Sequence, residues 1–266
     1  DRLPRAGGML AYAIPAYRLP RNRVRAQIAA LEAMGIGFKL NTEIGPKGVS
    51  LGALRRGFDS VFLATGAWEQ KNIPGLKKSE LLTSGMAFLT EGRRDPLHGN
   101  LPTGGHRNRF SPTAGRNVLV IGGGNVAVDV AVSARRAGAR RVTLACLEAR
   151  DAMPAFPEEI TGAVKEGVSI LPGWGPQRIL EAGGKVKGME LVGCSSVFDA
   201  QGRFAPSFDA ARKRIIKADQ IILAIGQAAE LGYAAGVKTL RGSIVADEAT
   251  QATNLPGVFA GGDAVS

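Results

Sequence analysis

Gly122, Gly124 and Ala127 stand at the spacing G-x-G-x-x-A, in the run Gly122-Gly123-Gly124-Asn125-Val126-Ala127, and an acid, Glu148, follows further along. These residue types at this spacing suit a dinucleotide. A glycine at 122 permits a tight turn, and one at 124 lets a pyrophosphate approach the backbone with no Cβ in the way. Ala127 is small enough for a helix to pack on the preceding strand. The phosphates would lie on unpaired N–H groups at that helix's N-terminus, where the dipole favours negative charge. A carboxylate at Glu148 accepts both ribose hydroxyls of NAD. Against a 2′-phosphate, like charges about 4 Å apart repel by about 4 kcal/mol per pair at an effective dielectric of 20. NAD is therefore favoured over NADP, although Arg150 is close enough in sequence to pair with a 2′-phosphate and offset that repulsion.

The elements that must position these residues are legible around them. Asn117-Val-Leu-Val-Ile121 is a short apolar run fit for a buried parallel strand; an Ala/Val-rich helical run follows to Gly138, then a second strand from Arg141 to Cys146 that ends just before Glu148. Two other apolar strands end in glycine: the stretch Phe58 to Ala67, which ends in Thr65-Gly66, and Asp219 to Gln227, with Gly226. The first is expected to be buried on both faces. Pro256 to Asp263 ends in Gly261-Gly262-Asp263, which places a carboxylate at the carboxyl end of a strand, where ligands of open α/β sheets bind; it suits the polyol hydroxyls of a flavin's ribityl chain.

Elsewhere the pattern predicts a Gly- and Pro-punctuated loop over 1–20, an amphipathic helix from Arg23 to Met34 closed by Gly35, and a strand from Phe38 to Thr42. It also predicts a turn at Ile73-Pro74-Gly75, a long linker from Gly92 to Gly115, a hairpin joining Arg178–Glu181 to Val186–Val192 through Gly183-Gly184, and a turn at Asp199–Arg203.

With 266 residues, 45% hydrophobic, and no long apolar run, the chain suits one large or two medium α/β domains. No signal peptide, transit segment or membrane span is visible, so a cytoplasmic location is expected; the chain opens at Asp1 and reads as cut from something longer. Cys146 and Cys194 are too far apart, and too few, to build a zinc or iron–sulfur site, and no metal is expected; they read as buried or half-buried thiols. His98 and His106 are isolated in a polar loop and read as exposed and unemployed. The net charge of +11 comes from scattered residues, among them Arg21, Arg23, Arg25, Arg135, Arg136, Arg140, Arg141, Arg212, Lys213 and Arg214. Without aromatic interleaving or a nucleic-acid motif they read as solvated faces that would dock an acidic electron-transfer partner, and no nucleic acid is expected.

Together these motifs resemble the small (beta) subunit of glutamate synthase and its relatives, a branch of the pyridine-nucleotide disulfide-reductase-like flavoproteins that includes the N-terminal half of dihydropyrimidine dehydrogenase. The residues that carry the resemblance are Gly7-Gly8-Met9, Ile14-Pro15 with Tyr17-Arg18-Leu19-Pro20, Ala64-Thr65-Gly66, Gly122-Gly123-Gly124-Asn125, Met153-Pro154-Ala155, Ala224-Ile225-Gly226-Gln227 and Gly261-Gly262-Asp263, in the family's order.

The resemblance implies an α/β fold of two nested Rossmann-like, three-layer ββα dinucleotide-binding domains, the outer FAD-type one incomplete. Residues 1–113 would be a partial FAD-type domain plus linker, 114–229 the inserted NAD(P)-binding domain, and 230–266 the return to the FAD-type domain. It implies that hydride passes from NAD(P)H to FAD and that electrons leave through an iron–sulfur domain or subunit. Carried over position by position, Asp1, Gly8, Met9, Thr65, Gly66, Gly262 and Asp263 would touch FAD, while Gly122, Gly123, Gly124, Asn125, Val126, Glu148, Arg150 and Gly226 would touch NAD(P).

The chain departs from the family in three places. The family's first βα unit, with the glycine loop for the FAD pyrophosphate, is absent ahead of Asp1, so FAD is expected in the intact parent and lost from this piece. Ala13 stands where the family commonly has Gly, and Leu147-Glu148 replace basic residues usual near a 2′-phosphate. The protein needs no catalytic acid–base pair or nucleophile of its own, because the cofactors carry the chemistry. The alternative is a non-catalytic NAD(H)-binding or interaction module on the same fold.

Overall fold

The structure is a computed structural model that describes residues 1–45, 47–73, 76, 81–91 and 117–265. The linker expected at Gly92–Gly115, with His98 and His106, and the turn residues Pro74-Gly75 lie outside the described residues. The chain divides into two compact units, Asp1–Tyr12 with Ala16–Lys71 and Gln227–Ser266, and Ala13–Pro15 with Asn72–Gly226.

The first unit begins with helices α1 (Gly8–Tyr12), α2 (Arg21–Ala33) and α3 (Leu51–Gly57), then the short strands β1 (Val61–Leu63) and β2 (Glu69–Gln70). Helix α2 starts directly after Pro20 and stops before Gly35, whose φ of 89° is the left-handed turn that ends many helices. The strand expected at Phe38–Thr42 does not form. Among the described residues its backbone meets the segment 1–3, through the Asn41 N–H on the Leu3 carbonyl, the Thr42 N–H on the Asp1 carbonyl and the Asp1 amino group on the Lys39 carbonyl, a contact too short to set up a ladder.

The second unit holds β3 (Leu82–Ser84), α4 (Gly85–Glu91), β4 (Asn117–Ile121), α5 (Asn125–Arg136), β5 (Arg141–Cys146), α6 (Pro157–Lys165), β6 (Val168–Pro172), β7 (Trp174–Ala182), β8 (Lys185–Phe198), β9 (Phe204–Lys217) and β10 (Gln220–Leu223). Five of these strands make an all-parallel sheet in the order β3-β10-β4-β5-β6, and β7, β8 and β9 make an antiparallel sheet of their own. Alternate residues of β4 serve opposite layers. Val118 and Val120 pack with α5, whereas Leu119 and Ile121 pack with Met189 and Leu191 of β8. A strand covered on both faces has no polar face, so it reads as an unbroken apolar run. Each fully buried Leu, Ile or Val side chain contributes about 1.5–3 kcal/mol of transfer free energy. Helix α4 and strand β3, within the stretch that the sequence reading placed in the outer half, join this sheet.

The chain then returns to the first unit through β11 (Gln227–Ala228), β12 (Thr239–Leu240), β13 (Ser243–Ile244) and β14 (Val258–Ala260). Strands β1 and β14 pair in parallel, with Leu63 opposite Ala260, over a core of Leu51, Leu63, Val237, Ile244 and Val258. The expectation that β1 is buried on both faces is corrected here. Phe62 is 53% exposed, because among the described residues only β14 flanks β1 and the Phe62 face stays open.

Candidate functional site

Strand order creates the crevice. The crossover from β4 leads through α5 to β5 on one side, while β10 lies on the other side of β4, so the sheet has its switch point between β4 and β10. Ligands of open α/β sheets bind outside the carboxyl ends of the strands at such a point. The turn after β4 and the turn after β10 both open there.

Two hydrogen bonds and one close approach shape the turn after β4. The Ala224 N–H donates to the Ile121 carbonyl at 2.8 Å, and the Gly122 N–H donates to the Ala145 carbonyl at 2.9 Å, so the turn is pinned between both neighbouring strands. Gly122 has φ 139°, and a Cβ there would lie 2.2 Å from the Ala224 carbonyl oxygen. Only glycine fits. Gly124 caps α5, and a Cβ added to it would meet nothing within 4 Å, so the open space lies on the side from which a ligand would come. Its carbonyl accepts from the N–H groups of Ala127 and Val128. Among the described residues, the N–H groups of Gly123, Gly124, Asn125 and Val126 have no acceptor, which leaves a row of donors at the positive end of α5.

Asn125 has a structural task as well. Its Oδ1 accepts from the Phe156 N–H at 2.9 Å, and the Gly123 carbonyl accepts from the Ala155 N–H at 3.1 Å. The Met153-Pro154-Ala155 segment is thereby stitched onto the glycine turn, with Met153 and Ala155 buried beneath it.

Glu148 arrives from the end of β5. A Cβ on Gly123 would come within 2.7 Å of Glu148 Oε2, which places the carboxylate against the turn. The Glu148 carbonyl accepts from the Gly173 N–H at 2.9 Å and lies 3.7 Å from the Cys146 thiol, which donates to it. Burial, and next the Glu148 charge, pushes the Cys146 thiol up to about 12, so it stays protonated and inert. Arg150 is exposed in the 3-10 turn Arg150–Ala152. Gly226, with φ 94°, follows β10. The structure thus groups Gly122 to Val126 with Glu148 and sets Gly226 beyond the neighbouring strand.

In the first unit the parallel pairing of β1 and β14 brings Thr65-Gly66 and Gly262-Asp263 to the same carboxyl edge, and the Gly261 N–H donates to the Leu63 carbonyl there. Gly66 and Gly262 have φ of 71° and 67°, and a Cβ on Gly262 would meet nothing within 4 Å. Asp263 is exposed in the 3-10 turn Gly262–Ala264. Thr65 Oγ1 lies 2.6 Å from the Tyr233 hydroxyl, a partner that sequence reading missed because nothing in the spacing links residues so far apart. Gly8 opens α1 with φ 47°, Met9 follows it half-buried, and the Asp1 carboxylate accepts from the Leu3 N–H. Arg2 leans over the Trp68 ring at 5.5 Å, and the Trp68 indole N–H donates to the Thr65 carbonyl, which ties the start of the chain to the β1 edge.

Of the basic residues read as solvated, Arg135 is half-buried and engaged, while Arg136 stays exposed but has an ion-pair partner. Arg135 closes the end of α5 on the Ala139, Arg140 and Glu166 carbonyls, and Arg136 pairs with Glu166 at 2.6 Å. Among the described residues, no group of three or more His, Cys, Asp or Glu stands close enough to hold a metal ion, and no helix is long and apolar enough to cross a membrane.

A parallel sheet with a glycine turn at its switch point and an acid at the next strand's end defines a dinucleotide-binding α/β protein. The chain belongs to the pyridine nucleotide-disulphide oxidoreductase family, whose pattern matches residues 47–266. It is 37% identical over 271 residues to the NADP(+)-dependent formate dehydrogenase subunit beta of Moorella thermoacetica, covering 100% of this chain and 36% of that one. It is 32% identical over 280 residues to the glutamate synthase (NADPH) small chain of Escherichia coli, covering 100% and 57%. The chain therefore spans between about a third and three fifths of the length of these curated relatives. The fold is shared with FprA from Mycobacterium tuberculosis, solved in complex with NADPH, at a TM-score of 0.74 and 15% identity over 99% of this chain and 71% of that one.

Proposed function

We propose that the chain is the nicotinamide-nucleotide-binding part, with a portion of the flavin-binding part, of an NAD(P)H-dependent flavoprotein oxidoreductase that passes electrons to an iron–sulfur domain or subunit. The observation that carries the reading is the row of unpaired N–H groups from Gly123 to Val126 with the Glu148 carboxylate beside it. The donors take the pyrophosphate, Gly124 leaves room for it, and Glu148 accepts from the adenosine ribose. Asn125 holds the Met153–Phe156 segment against the turn. When bound, the nicotinamide supplies hydride and the flavin accepts it.

The unit spanning 72–226 is read as the NAD(P)-type domain and the remainder as FAD-type. Thr65, Gly66, Gly262 and Asp263 fit the sugar-alcohol side of FAD in the intact parent, with Asp1, Gly8 and Met9 assigned to the same cofactor by resemblance. Among the described residues the first unit offers no glycine turn like Gly122–Gly124 for the FAD pyrophosphate, so this chain alone is expected to be colourless. Glu148 supports NADH over NADPH, even though the relatives named above are NADP enzymes by name; Arg150 supplies the opposing charge. Two unpaired, buried cysteines agree with work in a reducing cytoplasm.

Calorimetric titration of the chain with NADH and NADPH tests this. Binding of NADH at micromolar Kd, with NADPH weaker, is expected; no heat with either overturns it.

A further inference from the structure

Strands β7, β8 and β9 spend only part of their surface on the core. Ile179, Met189, Leu191 and Ile216 face the parallel sheet. Phe198, Phe204, Phe208 and Ile215 remain 55, 65, 45 and 58% exposed. Phe198 and Phe204 meet edge to face at 6.3 Å, above a turn that Asp199 and Arg203 clamp with an ion pair of 2.8 Å. Isolated exposed apolar residues need no explanation; here Phe198 and Phe204 pair at the tip of the hairpin, and Phe208 and Ile215 stand further along β9, the strand that ends the sheet.

Charge on the same strand is one-sided. β9 carries Arg212, Lys213, Arg214 and Lys217 against a single acid, Asp209. Arg212 and Arg214 lie over the Trp174 ring at 5.2 and 6.0 Å, held by an indole and not by a carboxylate. Lys213 is 3.6 Å from Glu190, which Arg178 already holds at 2.8 Å. Among the described residues β9 pairs with β8 alone, so its other edge presents unpaired N–H and C=O groups. Pro206 lacks a donor, the Ala211 N–H is taken by Asp209 Oδ1, and a bulge between Asp209 and Lys213 divides the edge, so the usable ladder comes in two stretches, Ser207–Asp209 and Lys213–Lys217.

We propose that this edge docks an extended, acidic segment of a partner protein, which adds as a fourth strand. Its carboxylates would meet Arg212, Lys213, Arg214 and Lys217, and its apolar side chains would cover Phe208 and Ile215. Edge protection alone accounts for the cations but not for the exposed phenylalanines. A nucleic acid has no backbone donors and acceptors spaced for a strand ladder. A second copy of a chain with net charge +11 brings the same basic strand. The acidic polypeptide satisfies the edge, the charge and the exposed Phe208 and Ile215 together.

The test uses the full chain carrying Trp68→Phe, which leaves Trp174 as the sole tryptophan, and a synthetic peptide of six Glu-Val repeats. Trp174 fluorescence should titrate saturably at low salt and weaken steeply by 0.3 M salt, with hydrogen-exchange protection confined to residues 207–217. Reversing Arg212, Lys213 and Arg214 to Glu should weaken binding by at least about tenfold. Lys217→Glu, away from the Trp174 stack, should weaken it by about threefold and serves if the triple variant misfolds. No binding at low salt, protection elsewhere, or unchanged affinity in Lys217→Glu overturns the proposal. So does tighter binding of oligo-dT at the same amides, or a dimer in sedimentation that protects 207–217 without peptide.

Discussion

A Cβ built on Gly123 would stand 2.7 Å from Glu148 Oε2 and 3.0 Å from the Cβ of Cys146, so the middle glycine of the turn keeps open the space its acid occupies. The Glu148 carboxylate ends a flexible side chain and can swing away, whereas the Cys146 Cβ is fixed to β5. Gly123→Ala should therefore fold but displace Glu148, lowering NADH affinity by about tenfold, the worth of one charge-assisted hydrogen bond. Calorimetry alongside circular dichroism checks this. Unchanged affinity would sever Glu148 from ribose binding.

Gly122 has a different constraint. Its φ of 139° is glycine territory, and a Cβ would overlap the Ala224 carbonyl at 2.2 Å, backbone that β10 and β4 hold in place. Gly122→Ala should destabilise the second unit by at least about 2 kcal/mol through strain and forced separation of the strands. Urea unfolding followed by circular dichroism measures it, and Gly124→Ala, in open space, should lose much less stability while still obstructing the pyrophosphate.

Coenzyme preference should turn on Glu148. Glu148→Ala removes the ribose acceptor and the repulsion toward a 2′-phosphate together. NADH should bind about five- to tenfold more weakly, and the NADPH-to-NADH affinity ratio should rise by at least about tenfold, with Arg150 then free to pair with the phosphate. An unchanged ratio of dissociation constants would remove Glu148 from coenzyme choice.

Much of the dinucleotide site was legible because its parts are local. β4, the turn and α5 are continuous in sequence, and an all-apolar strand followed by glycines has few other readings. What escaped depends on residues distant in sequence. The role of Gly123 comes from a side chain that β5 delivers, that of Asn125 from the Phe156 N–H, and that of Thr65 from Tyr233. β3 is three residues long, too short for any periodicity to show. Phe38–Thr42 has strand-like composition but no partner beyond residues 1–3, and Phe62 has core-like composition but no layer over it among the described residues. β8 runs past the expected hairpin to Phe198, and β9 was not expected as a strand; bulges between the two at Val192/Gly193 and beyond keep them paired where no simple alternation shows.

Cys146 gives a pH test. Burial, followed by the Glu148 charge, raises its thiol from 9.0 to about 12, so the folded protein favours the protonated form. An unfolded chain releases that proton near pH 9, while the folded one retains it up to about pH 12. Between those values the folded state binds more protons than the unfolded state, and the slope of unfolding free energy against pH is negative. The contribution is thus fully present below pH 9 and is lost as the pH climbs toward 12. Cys194, also raised by burial, acts in the same direction, so the comparison must be a difference. Wild type should lose more stability between pH 8 and pH 10.5 than Cys146→Ala does, as read from urea midpoints at the two values. Parallel losses in the two proteins would show that the Cys146 thiol titrates alike in both states.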